Sequence, residues 1–295
     1  MLAARRRERV FPLPEEALAL VLAEVAAVRD RGRGRLAGIG LAVPYNLGSW
    51  RRELDIPGDT YAAWNSFDLA GRLRAETGLP VFVENDGTAV AVAELFHGHG
   101  RELDDFASVY VGAAVGGGVV LGGEYRRGAT GNAGDIGLMA VPPSRLPTAP
   151  RPERASDLLL TRASVNSLIR HLRLAGGVAP VATRDGLDAA IEARPDLAGE
   201  WLEDCAEALV GPLLAITRLL DVQAIVVDGD LPRALVERLA RRLTGLLAAA
   251  SPEARGPAAL RVGTAGRDAP AMGAAILPLH LNYGPRQQAL LGQQR

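Results

Sequence analysis

Apolar positions along this chain form short continuous runs and helix-spaced stripes that take turns with one another. Leu18, Val21, Leu22, Val25 and Val28 share one helical face and predict an amphipathic helix over 15–28, with RGRGR as its exposed exit. The run LAGIGLAV, Leu36 to Val43, predicts a buried strand stopped by Pro44, and the loop to Trp64 is rich in Gly, Pro, Asp and Asn. A helix over 66–77, capped by Asn65 or Ser66, hands over to a short apolar strand at Val81, Phe82 and Val83. From Thr88 to Leu95 the chain turns Ala-rich and helix-favouring, Phe106 to Val111 reads as a strand, and Val119 to Leu121 is apolar again. Strand and helix in alternation predict a parallel α/β sheet.

After Val141 comes a loop bearing Pro and Arg, then helices over 158–172, 187–193 and 197–220, the last expected to kink at Pro212. A strand over 224–227, a helix over 234–247, a strand over 260–262 and a closing helix over 269–279 predict a second α/β unit. The tail YGPRQQALLGQQR is expected to be loose.

Two stretches carry candidate chemistry. In VFVENDGTAVAVAE, Glu84, Asn85 and Asp86 sit at a strand-to-helix switch, so Asp86 falls at an N-cap position. Capping alone accounts for an Asp there, at about 1 kcal/mol. The C-terminal ends of strands in α/β sheets are also where ligands bind. A carboxylate beside an amide suits vicinal hydroxyls, and an Asp in that place can deprotonate a hydroxyl nucleophile. In the second stretch, GAAVGGGVVLGGEYRRGATGNAGDIG, four glycines fall between Gly112 and Gly118, which reads as a hairpin with a bare backbone tip. Such a tip is either a tight turn or a concavity of N–H groups open to a phosphate. The polar loop RGATGNAGDIG that follows is long for the middle of a compact domain, and long loops of that kind carry function.

NDGTAVAVAE, GAAVGGGVVLGGEYRRG and GNAGDIG, in this order and spacing, resemble the signatures of the ROK family, which contains sugar kinases and sugar-responsive transcriptional repressors. The resemblance runs from about Leu36 to about Ala275. It implies an α/β, actin-like, two-lobed ribonuclease-H-like fold with the sugar between the lobes. It further implies substrate contacts from Glu84, Asn85, Asp86 and Asp135, and a nucleotide against Gly112, Gly116, Gly117, Gly118 and Gly229. In a kinase, Asp86 would be the catalytic base and ATP with Mg the cofactors. The expected division is an N-terminal α/β lobe over 1–105, incomplete, and a C-terminal α/β lobe over 106–295 holding the hairpin and a helical insertion.

The departures from the family pattern are as informative. Asp135 stands where a sugar-binding Glu is usual, and a shorter carboxylate favours a water-mediated contact. Leu138 stands where a His touches the sugar and ligates zinc, PPSRLPTAPRPER replaces the Cys-rich loop, and Cys205 is the single cysteine, so no zinc site is expected. Ala113 and Ala114 replace the kinases' Thr-Gly, and VVDGDLP keeps only Gly229 of a Gly-Gly turn. No Asp-x-Gly-x-Thr occurs in the chain, and no helix-turn-helix reading precedes its first helix. With those strands absent, the Leu36 strand is expected near an open sheet edge.

Composition narrows the partners. A 48% hydrophobic content suffices for a sizeable core, and 33 Lys plus Arg against 34 Asp plus Glu leaves no basic field for nucleic acid. The cluster Arg5, Arg6, Arg7 and Arg9 reads as a solvated terminus, and His97 and His99, lacking a third ligand, as surface residues. One cysteine and no long apolar run point to a cytoplasmic chain outside the membrane. The first reading is therefore a carbohydrate-sensing regulator core, dimeric by resemblance, that would reach DNA only through a module not in this chain. The alternatives are a glucokinase-like ATP-dependent sugar kinase, and a relic that binds nothing. Glucose or an N-acetylated hexosamine is the family's default sugar.

Overall fold

The computed structural model describes residues 12–31, 36–45, 61–152 and 155–283. The arginines at 5–9, the exit after Arg31, most of the loop before Trp64 and the tail from 284 onward lie outside the described residues. Helix α1 spans Pro14–Arg31, and strand β1 (Ile39–Ala42) pairs in parallel with β2 (Val81–Glu84). Between them α2 (Leu69–Thr77) is capped by Asp68, whose carboxylate accepts the Gly71 N–H at 2.8 Å. The predicted caps Asn65 and Ser66 belong instead to a 3₁₀ turn over Ala62–Ser66, which ends before the helix begins.

Among the described residues β1 pairs with β2 alone. A cleft of about 470 Å³ beside it is lined by Leu20, Val21, Val25 and Val28 of α1 and by Ile39 and Leu41 of β1.

Helix α3 (Asp86–His97) leads to a five-stranded mixed sheet of order β5-β4-β3-β8-β9. Its members are β3 (Phe106–Val111), β4 (Val115–Leu121), β5 (Glu124–Arg126), β8 (Ala224–Gly229) and β9 (Ala259–Val262). The β3, β8 and β9 pairings are parallel as predicted, whereas β4 and β5 turn back antiparallel. A small hairpin of β6 (Ala140–Val141) and β7 (Asp157–Leu158) precedes the helical stretch. The single helix predicted over 158–172 is two, α4 (Leu159–Arg162) and α5 (Val165–Gly176). Ser164 breaks it by a capping box with Ser167, each hydroxyl taking the other residue's N–H. Helices α6 (Arg184–Ala193), α7 (Pro195–Leu220, with Pro212 inside it), α8 (Arg233–Ala250) and α9 (Ala269–Tyr283) complete the chain.

Strand β3 is buried along its whole length because both faces are covered, which is why it reads as a continuous apolar run. Ala107, Val109 and Val111 face the main core with Trp201, Leu202, Leu209 and Leu213 of α7, while Phe106 packs on the other face against Ala91 of α3. Trp201 donates its indole N–H to Ser167 Oγ at 2.8 Å. Buried Arg162 bridges α4 and α7, donating to Asp204 Oδ1 at 2.7 Å and Oδ2 at 3.1 Å and to the Pro142 carbonyl at 2.8 Å. Removing one partner strands the other charge in the core. Asp204→Ala is therefore expected to cost about 3–5 kcal/mol, measured as a lower denaturation midpoint with an unchanged m-value.

Helix α3 packs on β3, β4 and β5, and α9 crosses α3 and packs on β1 and β2. Among the described residues no helix is long and apolar enough to cross a membrane.

Candidate functional site

The end of β2 and the start of α3 place Glu84, Asn85 and Asp86 together. The N-cap is Asn85, one residue earlier than predicted: its Oδ1 accepts the N–H groups of Gly87 at 2.9 Å and Thr88 at 3.3 Å. Asp86 is thereby released from capping into the first helical turn, where its Oδ1 accepts the Gly87 N–H at 2.9 Å and the helix N-terminus favours its charge. It is half-buried. Burial lifts its pKa above the ordinary aspartate range, two backbone N–H groups pull it down, and the charge of Asp135 lifts it further. Two carboxylates expected at the site from sequence thus sense one another across it.

Asp135 rides on the loop after β5. Its Oδ2 accepts from Asn132 Nδ2 at 2.8 Å, and burial raises its pKa against that hydrogen bond. Asn132 did not figure among the sequence candidates, although its place three residues before Asp135 was a signal for a local side-chain pair. Leu138 ends a 3₁₀ turn over Ile136–Leu138 and is 44% exposed, so the position where the family pattern has a histidine offers an apolar surface. Glu84, expected to touch the ligand, is held by partners within the protein. Its carboxylate is 2% exposed, pairs with Arg127 Nε at 2.9 Å, and accepts the Asn85 N–H at 3.2 Å. Burial raises its pKa and Arg127 lowers it.

The glycine run needs a larger correction. Gly116, Gly117 and Gly118 lie inside β4, paired with Tyr110, Val109 and Ser108, and the turn itself is Gly112, Ala113 and Ala114. A Cβ on Gly118 would sit 2.6 Å from Ala91 Cβ, and one on Gly117 would sit 2.6 Å from the Ser108 carbonyl oxygen. Gly87 at the start of α3 and Gly134 of the Asp135 loop, the latter at φ +87°, press on Gly117 in the same way. The bare strand therefore lets the helix start and the loop close on each other, bringing Asp86 toward Asp135. Of the glycines expected at a phosphate, only Gly112 lies at the turn.

Gly229 ends β8 beside Val111, so the C-terminal ends of β3 and β8 lie side by side, at the end of the sheet where α/β proteins hold ligands. An ion-pair network stands next to them. Arg184 Nε meets Asp230 Oδ1 at 2.7 Å and its Nη1 meets Asp268 Oδ1 at 3.1 Å, while Arg267 pairs with Asp188 and its carbonyl accepts from Tyr110 Oη at 3.2 Å. Behind it, buried Asp228 accepts from Gly229 N at 2.9 Å and Gly266 N at 2.7 Å; burial raises its pKa. Buried Glu94 accepts from Thr264 N at 2.6 Å and Ala265 N at 3.1 Å, so two carboxylates hold the loop before α9. The expectation that both histidines of HGHG are surface residues holds for His97 alone, since His99 Nε2 lies 3.0 Å from the Val262 carbonyl oxygen. Among the described residues no group of three or more His, Cys, Asp or Glu is placed to hold a metal ion.

Comparison with known proteins adds to this geometry. The chain is 36% identical over 141 residues to a β-glucoside kinase of Listeria monocytogenes serovar 1/2a, covering 46% of this chain and 47% of that protein, so it spans about half the relative's length. The fold matches a ROK family glucokinase from Streptomyces griseus, solved with glucose and AMPPNP, at TM-score 0.66 and 23% identity over 91% of this chain and 89% of that one. It matches a ROK family transcriptional regulator, a homologue of the Escherichia coli MLC protein, at TM-score 0.63 and 20% identity over 92% of this chain and 69% of that one. The architecture is thus the mixed α/β, actin-like one of these structures. The description "ROK family" matches residues 1–280, and the chain belongs to that family.

Proposed function

We propose that the chain is a sugar kinase that transfers a phosphoryl group from ATP to a hydroxyl of a hexose-class sugar. The observation that carries this reading is Asp86: half-buried, raised in pKa, set at a helix N-terminus and facing the charge of Asp135. A base so tuned takes the hydroxyl proton more readily than an ordinary aspartate. Asn85 Nδ2 and Asp135 suit neighbouring hydroxyls, with Asn132 holding Asp135 in place. Kinases among the relatives support ranking this above the regulator core that the sequence put first.

The turn Gly112–Ala114 carries nothing larger than a methyl group, which leaves its backbone open to a phosphate. When bound, ATP with Mg²⁺ would supply the phosphoryl group and the charge that neutralises it during transfer. Asp86 holds the sugar oxygen and takes its proton, and the half-buried surroundings of Asp86 and Asp135 limit the water that competes as acceptor. The reading carries a cytoplasmic homodimer with it, checked by light scattering on the purified chain. ADP release dependent on an added sugar is the expected activity. Saturable sugar binding with no ADP formed contradicts it.

The second reading, a sugar-responsive regulator core, draws on the ion-pair network beside Gly229, because Asp230 and Arg184 adjoin the glycine that the family resemblance sets against a nucleotide. Opening that network separates the two readings. Asp230→Gly is expected to tighten nucleotide binding about tenfold, equivalent to about 1.4 kcal/mol, in a titration with a fluorescent ATP analogue. Unchanged affinity would show that the network does not compete with the nucleotide.

A further inference from the structure

Two arms meet at the sugar site, and one side chain spans them. The first arm is the end of β2, which leads into Asn85 and Asp86 and belongs to the two-stranded sheet. The second is the loop from Gly128 to Asp135, which leaves β5 of the five-stranded sheet. Arg127 stands at the root of that loop. Its carbonyl accepts the Ala133 N–H at 3.0 Å, closing the loop on itself, and Gly128, Gly131 and Gly134 take positive φ of 74°, 79° and 87° to make the turn. Its side chain reaches back to the other sheet, where Nε meets Glu84 Oε2 at 2.9 Å and Nη2 approaches the Val83 carbonyl at 3.5 Å.

We infer that Arg127 is a positioning residue for sugar binding: its pair with Glu84 clamps the Asp135 loop over the Asn85–Asp86 arm. The inference rests on the kinase reading only in taking the place where these arms meet as the sugar site. Glu84 is 2% exposed while Arg127 is 59% exposed, so the carboxylate is fixed in the protein and the guanidinium is the movable half of the clamp. Glu84 also takes the Asn85 N–H, so the same carboxylate steadies the residue that caps α3. An arginine suits this task because its planar fork addresses a carboxylate and a carbonyl together.

The test uses the full chain as wild type, Arg127→Ala, Arg127→Lys and Glu84→Gln. In Arg127→Ala the amides of Gly128–Ile136 are expected to exchange hydrogen about tenfold faster, with those of α3 unchanged. Sugar KM or Kd is expected to rise about tenfold while kcat at saturating sugar stays within about threefold. Arg127→Lys restores part of the affinity because it keeps the charge. Glu84→Gln, which keeps the shape, reproduces the loss if the pair is the cause. Unchanged exchange in the loop overturns the clamp, and faster exchange with unchanged sugar affinity overturns the positioning role. Wild-type chain that takes up no sugar overturns the sugar site and this role together. It is told apart from failure of the clamp alone, in which wild type and variants bind sugar equally well.

Discussion

Asp86→Asn is expected to lower turnover about 10²- to 10⁴-fold while sugar affinity stays near the wild-type value. The substitution is nearly isosteric, and an amide oxygen still accepts the Gly87 N–H that Asp86 Oδ1 now holds at 2.9 Å. What it removes is the proton acceptor. In the wild type only ionised Asp86 serves as base, so kcat/KM rises with pH through the raised pKa of this carboxyl in the free protein. The acid limb of the pH profile is therefore expected above the ordinary aspartate value of about 3.9. The stability consequence has the opposite sign. A carboxyl whose folded pKa exceeds its unfolded one binds more protons in the native state, so stability declines as pH rises through that interval. Above the folded pKa the full cost remains, and at neutral pH Asp86→Asn is expected to raise the thermal midpoint as it abolishes turnover. A variant that loses activity by losing its fold would show the reverse. Lost turnover with a lower midpoint would therefore remove Asp86 from the role of base.

Gly273→Ala is expected to destabilise the chain by about 3 kcal/mol, at the upper end of the range for overpacking. Gly273 lies in α9, where a Cβ would sit 1.7 Å from the Ala89 carbonyl oxygen of α3, a backbone atom with no side-chain freedom to yield. The same helix crosses β1 at Gly40, where a Cβ would lie 1.8 Å from the Ala274 carbonyl oxygen. Since α3 carries Asp86 at its start, pushing α9 away disturbs the site as well as the fold. Gly245→Ala is the matched control: Gly245 is an exposed glycine of α8 with open space around it, where alanine is expected to add about 0.5–1 kcal/mol. Urea denaturation of both variants checks the pair. Equal midpoints would mean that the α3–α9 approach does not constrain residue 273.

The succession of elements was legible because strands such as Phe106–Val111 are short apolar runs and helices such as α1 and α7 carry apolar stripes. Errors fell where two local signals compete or where the deciding partner is distant in sequence. Asn85 and Asp86 are both good caps, and sequence alone does not say which oxygen faces the two N–H groups. The Ser164–Ser167 box that splits the helix after Leu158 was present as a spacing and was outweighed by the apolar stripe around it. Gly116–Gly118 read as a turn because glycines make turns. Their task, admitting Gly87 and Gly134 against a strand, depends on segments about 30 residues before and about 17 residues after them. Arg127, Asn132 and the Arg184–Asp230 network were hidden for the same reason: exposed polar residues acquire a meaning only when the sheet brings their partners within reach.

The most direct measurement is a calorimetric titration of the purified chain with aldohexoses, N-acetylated hexosamines and β-glucosides, repeated on Asp86→Asn and Asp135→Ala. The account predicts one saturable sugar site per chain, retained in Asp86→Asn and weakened at least about tenfold in Asp135→Ala. Absence of sugar heat in the folded wild type, or binding indifferent to Asp135, would contradict it.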